Sequence, residues 1–349
     1  RSASMELKIL VLLLCLAGCL AAPPGKRQRG GRGRKNRNRN LAPRNTCSEE
    51  CTSSRNFNYA DDTSYKYEYN AETLSTIKGT NSETTGLQVS AQVQIDVLSK
   101  CEHILRLSDV SLVEIDPKSP GSRSPSASSR DFASALEKNP LSFSFQDGIV
   151  EEICPSEDDD VWVANFKRGV LSAFQNSMDS LDTNMHVIET DVTGQCQTAY
   201  EITDTPPDGK IYINKRKNLN GCIHRHAIES IIQKTPYFVE SKLQSHPAVN
   251  SSIECQQVLD PSRFLRDTTC AERHMFLPMS NDDNGAVTTT KQTLKFITAE
   301  TPLKARDGSA GDGEPLLFEH THSAKSSSSD VQKASGTLQQ LCQISQEDI

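Results

Sequence analysis

The stretch 87–97 alternates without a break. Leu87, Val89, Ala91, Val93, Ile95 and Val97 are apolar, while Gln88, Ser90, Gln92, Gln94 and Asp96 between them are polar. Successive side chains of a strand point to opposite faces, so this run has one apolar and one wet face. A parallel strand buried on both sides would be apolar throughout, so so long an alternation belongs in a large antiparallel sheet. Tyr65, Tyr67 and Tyr69 alternate with Lys66 and Glu68 in the same way. Further strands are expected over 104–115, 141–145, 161–166, 198–203, 210–214, 254–259, 274–278 and 287–297. The pair 198–203 and 210–214 flanks Pro206-Pro207-Asp208-Gly209, a strong turn sequence. Helix is scarce. Phe166, Val170, Leu171, Phe174 and Met178 share one helical face, so 167–178 is expected to be an amphipathic helix packed on a sheet. The fold class is therefore mainly β.

The N-terminal region says where such a chain works. Within 5–22, Lys8 precedes an apolar run that closes on Ala21 and Ala22, the layout of a secretory signal peptide and too short to span a bilayer. Residues 1–4 precede Met5 and are set aside as upstream sequence. No later run approaches the roughly 18 apolar residues of a membrane helix. A secreted, extracellular chain without a transmembrane segment is expected. Of eleven cysteines, Cys15 and Cys19 fall in the signal, and nine remain. In an exported chain these mostly pair, and the tight CxxC clusters of a zinc site are missing, so no metal is expected.

The net charge of −7 hides an asymmetry. Residues 23–45 carry nine basic side chains and no acidic one, leaving 27 basic against 44 acidic residues in 46–349. The basic arm lacks an apolar core to offset its ordering entropy and is expected to be disordered. Its RGG-like run invites a nucleic-acid reading. An exported chain does not meet cytosolic RNA, so nucleic acid is set aside. A polyanion contact (glycosaminoglycan or anionic lipid), a processing site and a plain solvated arm stay open.

Catalytic patterns are not found in the sequence: it has no GxSxG elbow, HExxH helix, P-loop or GxGxxG fingerprint, so no catalytic residue is assigned and an enzyme is not expected. His224-Arg225-His226 lacks a supporting acid or cysteine and reads as surface histidines. Glu157-Asp158-Asp159-Asp160 lacks the alternating ligands and glycine of a calcium loop and reads as a solvated turn. Asn250-Ser251-Ser252 is a glycosylation sequon, with Asn250 the acceptor. Residues 119–130 and 305–334 are rich in Ser and Gly and read as loops or linkers.

Several blocks carry a family resemblance. YKYEY at 65–69, the strand 89–97, and Cys101 followed by HILRL at 103–107 resemble the opening strands of the large lipid transfer proteins. That family includes apolipophorins, apolipoprotein B, vitellogenins and the microsomal triglyceride transfer protein. VWVANFKRGVLSAFQN at 161–176 is similar to its most recognisable motif, in which a strand ends in a basic pair, here Lys167 and Arg168, before Gly169 and a helix. TDVTGQC at 190–196 resembles the following strand, and CAERHMFLP at 270–278 the strand after the last disulfide. The resemblance implies pairing of Cys51 with Cys101, Cys196 with Cys222, and Cys255 with Cys270. Cys47 and Cys154 are left for a fourth pair, and Cys342 has no assigned partner.

The resemblance also implies an N-terminal β-barrel around a central helix, followed by the start of an α-helical superhelical domain. The expected division is a barrel over 46–300, a linker over 301–336 and the beginning of helices over 337–349. The implied function is lipid transport without catalysis, with lipid (phospholipid or diacylglycerol) as cargo and no cofactor. A lipoprotein receptor and a folding or lipid-loading protein of the endoplasmic reticulum are the implied partners. Within the family, closely spaced Cys47 and Cys51 and the RGVLSAFQN wording favour apolipophorins. A vitellogenin-like yolk precursor and a secreted polyanion-binding module stay as alternatives.

Overall fold

The computed structural model describes Cys47 and residues 56–78, 84–116, 122–204, 206–223, 249–276, 285–301 and 313–319. The expected signal, basic arm, His224–His226 cluster, Cys51, Cys342 and helical start at 337–349 lie outside these residues.

Among the described residues, twelve strands form one antiparallel sheet. In chain order they are β1 (Thr63–Lys78), β2 (Thr84–Val97), β3 (Glu102–Ile115), β4 (Arg123–Pro125), β5 (Leu141–Gln146), β6 (Ile149–Cys154), β7 (Met185–Asp191), β8 (Gly194–Asp204), β9 (Ile211–Asn218), β10 (Val249–Leu259), β11 (Leu265–Phe276) and β12 (Gly285–Glu300). Their spatial order is β6-β5-β3-β2-β1-β12-β11-β10-β9-β8-β7, with β4 on the flank of β3. Two meanders thus meet where β1 pairs with β12 over nearly their whole length. The alternation is realised over 87–95, with Val93 and Ile95 buried and Gln92 exposed, but Asp96, expected on the wet face, is buried and paired with Ser64 and Arg106.

Two helices complete the described fold, α1 (Ser129–Lys138) and α2 (Val161–Phe174). α1 protects the β3 edge where a bulge at Asp109, with φ of 52°, breaks its ladder. There Glu137 accepts from the Val110 amide at 2.8 Å and Ser129 from the Leu112 amide at 3.0 Å. Edge groups left bare would template pairing with another chain, and these side chains occupy them.

α2 is the interior of the molecule: 11 of its 14 residues are buried. It joins β6 and β7 in sequence, and these are the two ends of the sheet order. The gap between them is bridged from the helix C-terminus. Gln175, fully buried, accepts from the β6 amide of Val150 and donates to the β7 carbonyl of Thr190, both at 3.1 Å. A side-chain amide therefore stands where a barrel would otherwise have backbone rungs. The next residue, Asn176, donates its N–H to Gly148 O at 2.8 Å, locking the β5–β6 hairpin to the helix end.

Several expectations are corrected. Residues 161–166 are helix and not strand, and the helix ends at Phe174 and not at 178. Val161 and Val163 mimic alternation, but Trp162 stacks on Phe132 of α1 while Val163, Phe166, Val170 and Phe174 share the buried face. Residues 190–196 are not one strand, because Asp191 pairs with Gly194 across the β7–β8 turn. The strand expected at 274–278 is the end of β11, which starts at Leu265 and stops at Phe276. β4 and the start of α1 fall within 119–130, and 313–319 within the expected linker is packed on the barrel. The acidic run is not a solvated turn throughout: the Asp159 side chain is buried and holds Lys167 at 2.7 Å.

Candidate functional site: the helix-filled barrel interior

The basic pair and glycine singled out in the sequence lie on α2 in the interior. Lys167 donates to Asp159 and to the Asn139 carbonyl, each at 2.7 Å. Burial lowers the pKa of its ammonium, with Asp159 opposing the shift. Arg168 donates to Asn165 Oδ1 at 2.9 Å and to Glu314 at 2.6 Å. Gly169 presents its carbonyl to Gln292 Nε2 of β12 at 3.3 Å. The pair is thus spent on structural ion pairs.

A second buried charge cluster was not singled out from sequence. Glu189 Oε1 meets Lys215 at 2.6 Å and Lys217 at 2.5 Å, Lys217 also pairs with Asp191, and the Tyr200 hydroxyl donates to Glu189. Burial pushes the Glu189 carboxyl up, but the two ammonium groups outweigh it and hold it below the usual carboxylate range. Burial pulls both lysines down. For Lys217 the two carboxylates prevail and its pKa rises, whereas Lys215 stays lowered. Lys215 also donates to the Gln175 carbonyl at 3.0 Å, fastening the helix end to β9. The signal was legible: Ile213, Lys215 and Lys217 alternate in β9, so both lysines share the core face with Ile213.

Between α2 and strands β9–β12 lies a cavity of about 40 Å³, lined by Phe166, Gly169, Lys217, Cys255, Glu272 and Gln292 among others. Small-molecule sites run from roughly 300 Å³ upward, so this space takes a few waters and no lipid. Near it, His274 bridges Ser251 Oγ and Glu272, both at 2.8 Å. The order resembles a Ser–His–acid relay, but Ser251 is only 2% exposed and is closed to a substrate. The three side chains tie β10 to β11.

At the C-terminus of α2, Phe174 sits in an aromatic cluster with Tyr59, Tyr67 and Phe145. His103 lies against Phe143 and Phe145, and burial lowers its pKa to about 4.

The disulfides close around this core. Cys47 is bonded to Cys154, Cys196 to Cys222, and Cys255 to Cys270. Cys101 is disulfide-bonded as well. Cys255 and Cys270 are direct partners in the β10–β11 register. Asn250 is exposed on β10, with Asn220 Nδ2 3.4 Å from its Oδ1.

A curled antiparallel sheet packed around one buried helix and pinned by disulfides can be compared with known proteins. Residues 59–302 match the family model of the vitellogenin N-terminal domain. The chain belongs to that family. Among curated vitellogenin-domain relatives, vitellogenin of Penaeus merguiensis is 29% identical over 89% of this chain. Apolipoprotein B-100 of Homo sapiens is 26% identical over 79%, and apolipophorins of Locusta migratoria 26% over 80%. The chain spans only 11%, 6% and 8% of those three proteins. A solved structure of lipovitellin superposes with a TM-score of 0.65 at 21% identity, over 76% of this chain and 28% of that one, so its fold is shared. Among the described residues, no helix of this vitellogenin N-terminal domain is long and apolar enough to cross a membrane.

Proposed function

We propose that this chain is the non-catalytic barrel region of a secreted lipid-transport protein, and that it assists lipid loading from outside its own interior. The filled barrel carries this reading. α2 occupies the space a cargo would need, and the cavity of about 40 Å³ beside it is too small for an acyl chain, so the barrel is proposed to act as a rigid platform. The names of its relatives, apolipoprotein B-100 and apolipophorins, supply the class of cargo. Phospholipid and diacylglycerol are the lipids proposed, and a lipoprotein receptor or a lipid-loading protein of the secretory pathway the protein partner. Asn250, exposed at the start of β10, is proposed to carry a glycan.

The test is deletion of 56–319 from the complete reading frame, followed by measuring lipid per secreted particle. A lipid-poor or retained product is expected. Unchanged lipid content would remove the loading role.

A storage reading is favoured by one observation, the match to Penaeus merguiensis vitellogenin over 89% of the chain. Phosphoserine-rich tracts in the complete product, with uptake into oocytes, would decide for it. The basic arm 23–45 is proposed to contact polyanions. Heparin binding that weakens with salt and vanishes on deleting 23–45 is the expected outcome, and no binding at low salt would refute it.

A further inference from the structure

Residues 313–319 are held on the barrel much as a peptide ligand is held by a receptor. Glu314 exchanges two backbone hydrogen bonds with Ile153, at 2.8 and 2.9 Å, in antiparallel sense at the end of the sheet order. Glu319 is gripped by the Asn165 side-chain amide, which accepts from its N–H at 3.0 Å and donates to its carbonyl at 2.9 Å. Between them Leu316 is buried to 1% exposure, and Phe318 packs on the main core. Gly313 comes so near β6 that a Cβ there would lie 2.6 Å from the Glu152 carboxylate.

The charge arrangement gives this groove its selectivity. Arg168 is 1% exposed, and its two carboxylate neighbours among the described residues are Glu314 at 2.6 Å and Glu319 at 3.6 Å. A guanidinium cannot shed its proton, so Arg168 offers a fixed positive charge to the carboxylates of whatever segment covers it. Strand addition supplies sequence-independent affinity, while the apolar socket and the arginine choose the side chains.

We propose that the outer edge of β6 and the Asn165–Arg168 face of α2 form a peptide site for an extended segment bearing two carboxylates around a buried apolar residue. Residues 313–319 are its resident and exchangeable occupant. Another acidic–apolar segment of similar spacing can take its place. The proposal is independent of the lipid reading.

The experiment places a protease site within 302–312 of the full chain, with Cys342→Ser to exclude a covalent tether. After cleavage, the piece 313–349 is expected to co-elute with the barrel and to be displaced by excess synthetic peptide GEPLLFE. A peptide with Glu314→Gln and Glu319→Gln should compete at least tenfold less well. Leu316→Asp in the cut chain should release the piece while the barrel keeps its cooperative melt; this variant leaves the barrel's own residues untouched. Separate elution of the unaltered piece, equal competition by the glutamine peptide, or a barrel that unfolds as the piece leaves would each overturn the proposal.

Discussion

At the scale of single residues, the interior stakes stability on charges taken out of water. Glu189 faces two lysines and accepts a phenol hydrogen bond while wholly buried. Removing one partner of such a group leaves the others uncompensated, at a cost of about 3–5 kcal/mol. Glu189→Gln should therefore lower the urea midpoint sharply. Glu189→Leu combined with Lys215→Met should cost less than the sum of the two single changes, and strict additivity would show that the groups are not coupled.

His103 makes a prediction about pH. Its Nδ1 is 3.2 Å from the Cys101 carbonyl and its Nε2 has no hydrogen-bond partner, so the buried ring is kept neutral. Its folded pKa is about 4 against an ordinary 6.5. Between these values the unfolded chain binds the proton that the folded one refuses, so this stabilisation is present above pH 6.5 and lost as pH falls toward 4. The full difference is about 3 kcal/mol. Denaturant melts from pH 7 to 4 should show this loss, and His103→Phe should flatten it.

At the scale of elements, α2 decides how the sheet closes. Its last turn delivers Gln175 to the seam between β6 and β7, where one amide serves Val150 and Thr190. Gln175→Leu would leave both backbone groups unsatisfied, at about 1–3 kcal/mol each. Hydrogen exchange at the Val150 amide should accelerate more than exchange within the β1–β2 ladder. The β5–β6 hairpin is equally tied to the helix. Gly148 has φ of 94°, and a Cβ there would sit 2.1 Å from the Asn176 carbonyl. Gly148→Ala therefore combines backbone strain with a clash and should cost more than about 1 kcal/mol by thermal melt, where a free Asp-Gly turn would lose less.

Across the whole molecule, the disulfides staple regions of very different separation. Cys47–Cys154 closes 107 residues and Cys255–Cys270 only 15. In the chain-entropy account these contribute about 4.7 and 3 kcal/mol. Paired Cys→Ala replacement should thus lower Tm more for the first bridge. The opposite order would mean that the cross-strand bridge acts through the folded state.

The long strands were legible because one face of a one-layer sheet must be apolar, and 87–97 records that in every second residue. The 198–203 and 210–214 hairpin was legible because Pro-Pro-Asp-Gly can do little but turn. Residues 161–166 misled because a helix buried on most of its surface loses the polar face that marks its period, and two valines then pass for alternation. The block 190–196, taken from the resemblance as one strand, is the end of β7, a turn and the start of β8; the rest of β7 was not legible because its core positions Glu189 and Asp191 are charged, and a charge in the core is intelligible only with its partners in place.

What the sequence by itself determined is the antiparallel, half-wet sheet and the blocks that resemble one lipid-transfer family. Both are local facts, set by alternation and short wording. Only the tertiary structure decided that α2 fills the barrel, that Gln175 closes its seam, and that a stretch read as linker is docked against Arg168. Those outcomes depend on contacts such as Arg168 with Glu314, 146 residues apart, which pair a buried guanidinium with a part-exposed carboxylate that only the folded chain brings together.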